Sequence, residues 1–201
     1  MALALIDYGA GNLHSVANAL NAAGAEDIAI TADADVVAKA DRIVLPGVGA
    51  FAACAAALRA VPEMIEAMEQ RVHTDGVPFL GICVGMQLLA GTGEEFGVHP
   101  GLGWIKGTVR RLTPADAAAK VPHMGWNDVR AVTAHPMIVP GEAYFLHSFA
   151  FEGEHVLATS DHAGPVVAAI GRDTIVGVQF HPEKSQRYGL EFLNRFLKWH
   201  P

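Results

Sequence analysis

The chain has 201 residues and a formal net charge of −7, with 51% hydrophobic and 17% charged residues. This composition excludes an intrinsically disordered chain, and the negative charge without a long run of one sign argues against a nucleic-acid or polybasic membrane-binding surface. The length fits one domain, residues 1–201, and we expect its ligand to be small.

The first half of the chain alternates apolar strands with helices. The pattern predicts strands at residues 2–7, 27–31, 42–45 and 77–82, and helices at residues 13–23, 34–40, 51–70 and 84–90. Strands that alternate with helices through short turns indicate a mostly parallel sheet with right-handed crossovers.

The second half is rich in strands and ends in a helix. Strands that are expected to pair antiparallel are predicted at residues 104–112, 127–132, 143–149, 155–160, 166–170 and 174–179. Residues 185–199 have apolar side chains at helical spacing, which predicts an amphipathic helix over the sheet. The predicted fold is therefore α/β: a three-layer sandwich with a mostly parallel, flavodoxin-like central sheet and an antiparallel extension in the C-terminal half.

The sequence predicts a cytoplasmic protein with free thiols. Neither the first residues nor any apolar run has the pattern of a signal peptide or a transmembrane helix. Cys54 and Cys83 form no C-x-x-C pair and have no clustered histidines near them, so neither a disulfide nor a zinc site is expected.

Residues 78–87 place Cys83 directly after an apolar strand, directly before a helix, and between Gly81 and Gly85. A sharp strand-to-helix turn lifts its central side chain above the carboxyl edge of the sheet, as in the G-x-S-x-G elbow of serine hydrolases. The start of the following helix would also stabilise a thiolate. Because a lone cysteine is more often a small buried hydrophobe, Cys83 needs partners before a nucleophile is predicted.

His181 and Glu183 are those partners. Pro182 keeps His181 out of helical conformation, and side chains two residues apart in an extended segment project from one face. A carboxylate bound to one imidazole nitrogen fixes the tautomer, which leaves the other nitrogen to exchange a proton with the thiol. Taken alone, the pair could be a surface histidine beside a surface glutamate, but together with Cys83 it predicts a catalytic triad.

An acyl-transfer site also needs donors for the developing oxyanion. The backbone N–H of Val84 follows the nucleophile and is the first candidate. The second is expected from the glycine loop at residues 45–51, at the amide of Val48, because this loop follows another strand end at the same edge of the sheet.

Two other signals are set aside. Residues 7–14 begin like a dinucleotide fingerprint, but His14 occupies the third glycine position, so no nucleotide cofactor is expected. The ten histidines show no metal-binding spacing such as H-E-x-x-H, so no metal is expected.

The segments GICVGMQ at residues 81–87 and QFHPE at residues 179–183 together resemble the triad of class I glutamine amidotransferases. Within that family the chain resembles the glutaminase subunits of imidazole glycerol phosphate synthases. The matching segments cover nearly the whole chain and are DYGAGN at 7–12, PGVGAF at 46–51, PHMGWN at 122–127, FLHSF at 145–149 and HPEKSQ at 181–186.

The resemblance implies hydrolysis of glutamine through a thioester, without a cofactor, and delivery of the ammonia to a separate (β/α)₈-barrel cyclase in histidine biosynthesis. It assigns residues that hold the amino-acid end of glutamine, namely Gly49, Gln87, Glu95, His147, Ser148 and Phe149. It also assigns residues that face the cyclase, namely Asn12, Trp126, Asn127 and Lys184. Tyrosine is usual where Phe149 stands, so no side-chain hydrogen bond is expected there.

Glycines on both sides of Val48 make rotation of its peptide inexpensive, so the second oxyanion donor is expected to swing away and to be restored by the cyclase. Alternatives remain open at this point. They are a glutaminase subunit of another amidotransferase, a stand-alone cysteine hydrolase or peptidase of the same fold, and a non-catalytic binding protein.

Overall fold

The computed structural model describes residues 1–116 and 118–201. The α-helices are α1 (Leu13–Ala22), α2 (Ala34–Val37), α3 (Phe51–Ala60), α4 (Met64–Glu69), α5 (Val84–Gln87) and α6 (Gln186–Lys198). The strands are β1 (Ala2–Ile6), β2 (Asp27–Thr31), β3 (Arg42–Leu45), β4 (Phe79–Ile82), β5 (Thr92–Gly93), β6 (His99–Pro100), β7 (Gly107–Arg111), β8 (His123–Ala131), β9 (Gly141–His147), β10 (Phe149–Gly153), β11 (Val156–Asp161), β12 (Pro165–Arg172) and β13 (Ile175–Val178).

A nine-stranded sheet forms the centre of the molecule, in the order β2-β1-β3-β4-β13-β12-β11-β8-β9. The first five strands are parallel to one another, and the remaining four pair antiparallel. Helix α1 packs against α6, whereas α2 and α3 both pack against α4. The predicted α/β class, with its flavodoxin-like parallel half and antiparallel extension, is confirmed.

Three adjacent parallel strands, β3, β4 and β13, determine where the site forms. Every residue of these strands is buried, because helices cover the central strands of a parallel sheet and favour continuous apolar runs. Their carboxyl ends lie side by side and continue into the loop at residues 46–50, into Cys83 and into the segment that contains His181. One edge of the sheet therefore collects all three segments.

The expectation that residues 174–179 pair only antiparallel is wrong on one side. Strand β13 is antiparallel to β12 but parallel to β4, with Val178 opposite Ile82. An apolar run indicates that a strand is buried but not in which direction it runs. The parallel pairing of β13 with β4 could therefore not be predicted from the sequence pattern. The parallel pairing matters, because it places the ends of β4 and β13 at the same edge.

A second, four-stranded sheet in the order β10-β7-β5-β6 was not predicted. The predicted strand at residues 143–149 ends instead at His147, and the chain enters the second sheet at Phe149. Ser148 is the single residue between the two strands, so the chain passes from one sheet to the other within one residue. Residues 104–112 likewise form a shorter strand than predicted, β7.

The predicted helix at residues 51–70 is broken into α3 and α4. Val61 is extended, with ψ of 116°, because the residue before a proline avoids the helical region. Glu63 then adopts a left-handed conformation with φ of 56° before α4 begins, and a π-helical turn, Gln70–Thr74, follows α4. The helix predicted at residues 84–90 is also shorter, because α5 has only four residues.

The remaining boundaries agree with the prediction to within a few residues, and β2 and β3 agree at both ends. Throughout the two described ranges, no helix is long and apolar enough to cross a membrane.

Candidate active site

Cys83 occupies the turn between β4 and α5. Its backbone has φ of 54° and ψ of −111°, a conformation that non-glycine residues rarely adopt. The flanking glycines allow this turn: a Cβ on Gly81 would lie 2.7 Å from the carbonyl oxygen of Gly85, and a Cβ on Gly85 would overlap the carbonyl of Leu45. Because α5 is so short, its amino terminus stabilises a thiolate less than the predicted longer helix would.

Replacing Gly85 with alanine is expected to destabilise the fold by about 3 kcal/mol or more, because a Cβ there meets fixed backbone of β3 rather than a movable side chain. Chemical denaturation of purified protein would measure the change. The matched control is Gly76→Ala on the surface, where a Cβ meets nothing within 4 Å and only the positive φ opposes the substitution. Equal losses at the two positions would contradict the close-packed elbow.

Cys83 is 4% exposed and lies against a cavity of about 300 Å³. The thiol is thus more buried than the predicted projection above the sheet suggested, because the surrounding loops rise above it. The predicted residues that line this cavity are Val48, Gly49, Cys83, Val84, Gln87, Glu95, His147, Ser148, Phe149, His181 and Lys184. The sequence therefore named most of one contiguous site.

His181 and Glu183 are joined by a hydrogen bond of 2.8 Å between Nδ1 and Oε1, with side chains only 4% and 3% exposed. His181 is extended as predicted, but Glu183 lies in a single 3₁₀ turn, Pro182–Lys184, because Pro182 is well suited to start a helical turn. Ser185 fixes this turn: its hydroxyl donates to the His181 carbonyl at 2.6 Å and accepts from the Tyr144 N–H.

The surroundings of His181 favour its protonated form. Burial disfavours a charge on the ring, but the interactions with Cys83 and Glu183 outweigh burial and raise the pKa of His181 to about 10. The ring therefore holds a second proton while its Nδ1 is bound to Glu183. The hydrogen bond between His181 and Glu183 supplies one link of the predicted triad, and Cys83 and His181 line the same cavity.

The two predicted oxyanion donors do not converge in this structure. The N–H of Val84 donates to the carbonyl oxygen of Gly47 at 3.4 Å. Because the C=O and N–H of a trans peptide point in opposite directions, the N–H of Val48 is directed away from Val84. The loop must rotate at this peptide before both amides can bind one oxygen atom.

Gln87 lines the cavity beside the thiol, and the buried Gln179 lies behind it. Gln87 Nε2 donates to the Phe149 carbonyl at 2.9 Å and to Gln179 Oε1 at 3.0 Å, and Gln179 Nε2 lies 3.6 Å from the Cys83 sulfur. Glu95 accepts from the Phe51 N–H at 2.7 Å, so it is held at the amino terminus of α3. These contacts fix the polar side chains that surround the thiol.

The residues predicted to face a partner are placed in different ways. Asn12 is exposed and caps α1, and Trp126 is 48% exposed on β8. The Asn127 side chain is used internally, since its Nδ2 bonds to His123 and to the Asp161 carbonyl. Lys184 lines the cavity and lies over the Tyr144 ring, so it stands between the site and the surface.

Sequence reasoning missed several supporting residues. Gln179 and Ser185 belong to motifs that were noted, but only the paired strand ends show that they touch Cys83 and His181. Behind the 46–50 loop, the Tyr8 hydroxyl donates to the Pro46 carbonyl at 2.7 Å and the Cys54 thiol to the Val48 carbonyl at 3.4 Å. No spacing in the sequence would have revealed these two contacts.

A family model described as glutamine amidotransferase class-I matches residues 4–199. The chain belongs to the class I glutamine amidotransferases. This amidotransferase is 63% identical to imidazole glycerol phosphate synthase subunit HisH of Zymomonas mobilis, over 99% of its own chain and 96% of the relative. It is 53% identical to the protein of the same name from Ruegeria pomeroyi, over the full length of both.

Solved structures give the same fold at low identity. A crystal structure titled glutamine amidotransferase matches 96% of the amidotransferase and 99% of its own chain, with a TM-score of 0.72 and 19% identity. A chain of PurLQS from Thermotoga maritima matches 98% and 95%, with a TM-score of 0.66 and 16% identity. At this identity the likeness shows the fold alone.

Proposed function

We propose that the chain is the glutaminase subunit of imidazole glycerol phosphate synthase, which hydrolyses glutamine to glutamate and ammonia for histidine biosynthesis. The observation that carries the proposal is a single cavity of about 300 Å³ that both Cys83 and His181 line, with His181 hydrogen-bonded to Glu183. Full-length relatives named as the HisH subunit of that synthase support the choice among amidotransferases. The family match over residues 4–199 supports a single domain.

The proposed reaction begins when the Cys83 thiolate attacks the side-chain amide carbon of glutamine. A C–S bond forms, the C–N bond breaks, and the His181 imidazolium gives its proton to the leaving ammonia. Water then attacks the thioester and gives a proton to the neutral His181 ring, which releases glutamate and regenerates the thiolate. Gly49, Gln87, Glu95 and the backbone at residues 147–149 hold the amino-acid end of the substrate.

A chloroketone analogue of glutamine tests the assignment directly, because it alkylates a thiol only after binding as glutamine does. Mass spectrometry should find the label on Cys83, with excess glutamine protecting against it. Cys54 is the internal control, since it is also a free thiol and is 1% exposed. Labelling of Cys54 instead, or labelling that glutamine does not slow, would refute the proposed site.

The proposed partner is a separate (β/α)₈-barrel cyclase that receives the ammonia and with which the chain forms a heterodimer. The family model takes up residues 4–199, so a barrel of about 250 residues is proposed as a separate chain. Asn12, Trp126, Asn127 and Lys184 are proposed to face it. We further propose a cytoplasmic location, because the thiols Cys54 and Cys83 are both free and the cytosol keeps thiols reduced.

We expect the isolated chain to hydrolyse glutamine about 10²- to 10³-fold more slowly than the complex with the cyclase and its ligand. The reason is the Gly47 carbonyl, which occupies the Val84 N–H and leaves the Val48 N–H directed away. Loss of one oxyanion donor costs about that factor in turnover, so the expected range is a lower limit for the loss of both. Steady-state ammonia release with and without the partner would measure it, and equal rates would exclude gating by this peptide.

A further inference from the structure

A continuous series of hydrogen bonds runs from β8 to the wall of the cavity. His123 and His147 are directly opposite each other in the pairing of β8 with β9, and His123 Nδ1 lies 3.0 Å from His147 Nε2. His147 Nδ1 lies 2.9 Å from the Phe149 carbonyl oxygen, which also accepts from Gln87. At the other end, Asn127 Nδ2 lies 3.0 Å from His123 Nε2.

The chemistry of the two ends fixes the direction of every bond. The Phe149 carbonyl can only accept, so His147 carries its proton on Nδ1 and its Nε2 must accept from His123 Nδ1–H. His123 Nε2 then accepts from the Asn127 amide, whose second N–H donates to the Asp161 carbonyl. Both rings are therefore neutral, and an added proton would place two N–H groups against each other.

Burial of the two rings agrees with this assignment. His123 is 3% exposed and His147 is 6% exposed. Burial, helped by the nearby His162, lowers the pKa of His123 to about 4. Burial is also the main reason why the pKa of His147 is lowered, to about 3, with further contributions from His123 and His162. Both rings stay uncharged at neutral pH.

This series of hydrogen bonds lies where the chain passes from one sheet to the other. It crosses the point where the chain leaves the central sheet at His147 and enters the second sheet at Phe149, with only Ser148 between. Besides the sheet ladders, the Ser148 carbonyl accepts from the Leu112 N–H, and the Phe149 carbonyl is held by His147 and Gln87. The cavity wall is thus fixed by a side chain that depends on His123 for its own hydrogen bond.

We propose that His123 is a positioning residue for glutamine: by donating to His147, it holds the Phe149 carbonyl and, through it, Gln87 against the cavity. His123 does not line the cavity and does not touch the reacting atoms. The inference rests on the proposed function, because it takes the 147–149 wall as the surface that binds glutamine.

Three substitutions distinguish the contributions of the two hydrogen bonds that the His123 ring nitrogens form. In His123→Asn the amide nitrogen replaces Nδ1 and keeps the donor to His147. In His123→Gln the amide reaches the position of Nε2, so the bond to Asn127 survives and the donor to His147 is lost. His123→Phe removes both bonds but preserves the stacking on Phe145 and His162, whose rings lie 4.8 and 4.3 Å away.

The experiment measures glutamine hydrolysis by each variant in complex with the cyclase. We expect His123→Gln and His123→Phe to raise the KM for glutamine about tenfold with little change in kcat. Both variants leave the buried His147 Nε2 without a donor, and one such unsatisfied acceptor changes an equilibrium constant by about a factor of ten. His123→Asn should stay close to wild type. If the phenylalanine variant does not fold, the asparagine and glutamine variants still give the comparison, because each keeps one polar contact.

Alkylation supplies a readout that a general loss of structure would not reproduce. The concentration of the chloroketone that gives half-maximal labelling should rise in step with KM, while the rate with iodoacetamide, which needs no substrate wall, stays unchanged. Equal impairment of all three variants, an unchanged KM in His123→Gln, or slower iodoacetamide labelling would overturn the inference. An inactive wild-type complex would instead show that the proposed function itself is wrong.

Discussion

Replacing Cys83 with alanine is expected to lower glutamine hydrolysis by the complex about 10⁴-fold or more, because the proposed acyl intermediate forms on its sulfur. Gln179, the polar neighbour of the sulfur, is an amide and is not a nucleophile. The fold should survive, since the alanine side chain fits within the volume that the cysteine occupies. Ammonia release from glutamine, measured with the cyclase and its ligand present, would give the rate.

Two controls make this result specific. The unfolding temperature of Cys83→Ala should remain within a few degrees of wild type, which would show that the protein is folded. The complex of this variant should still form imidazole glycerol phosphate when ammonium salts replace glutamine, because only the source of ammonia has been removed. Glutamine-dependent turnover that survives in the variant would show that Cys83 is not the nucleophile.

Replacing Glu183 with glutamine is expected to lower turnover about 10²- to 10⁴-fold, in line with the loss of the carboxylate in other triads. The substitution keeps the shape of the side chain and removes its charge from a site where it is 3% exposed. Burial already opposes the imidazolium, and the carboxylate is one of the two groups that offset burial. Without it, the His181 ring would lose its proton more readily.

The expected lowering of the His181 pKa in Glu183→Gln predicts how the protonation of the ring depends on pH. In the wild type, with the pKa of His181 raised to about 10, the ring remains protonated throughout the range from pH 7 to 9. In Glu183→Gln the pKa should fall, so at pH 8 less of the enzyme holds a proton for the leaving ammonia. Nitrogen-15 NMR of the ring, recorded against pH, measures the shift in both proteins.

The matched control is Glu191→Gln on α6, which removes an exposed carboxylate paired with Arg187 and should change neither the rate nor the titration. An unchanged pKa of His181 in Glu183→Gln would mean that Cys83 alone maintains the charged ring. Unchanged turnover in that variant would remove Glu183 from the triad.

The sequence was sufficient where local patterns decide the structure. Strands β2 and β3 were predicted at both ends, because short apolar runs bounded by turn residues leave few alternatives. The proposed catalytic side chains were also within reach of the sequence, since Cys83 follows directly after β4 and His181 lies shortly after the end of β13. In a parallel sheet, residues at the ends of strands meet at one edge wherever they stand in the chain.

The sequence was not sufficient where distant strands determine the structure. The division of residues 143–149 between two sheets depends on which partners β9 and β10 find, and the pairing of His123 with His147 depends on the register of β8 with β9. Neither is encoded in a spacing. The break between α3 and α4, by contrast, has a cause that the sequence shows, because Pro62 disfavours helical backbone at Val61.

The orientation of the Gly47–Val48 peptide illustrates a further limit. Glycines on both sides indicated that the peptide can rotate, but the sequence could not say which side the carbonyl faces. That depends on the Val84 N–H, which lies at the start of α5, and on the contacts of Tyr8 and Cys54 behind the 46–50 loop.

The left-handed backbone at Cys83 has a consequence for the evolution of this protein. Glycine is the residue that suits such a conformation best, yet glycine carries no sulfur, so selection for a more durable fold and selection for turnover favour different residues at one position. The strain of about 1–3 kcal/mol that the cysteine imposes must be offset elsewhere. The wholly buried strands β3, β4 and β13, which border the turn, are well suited to supply the stabilisation that offsets this strain.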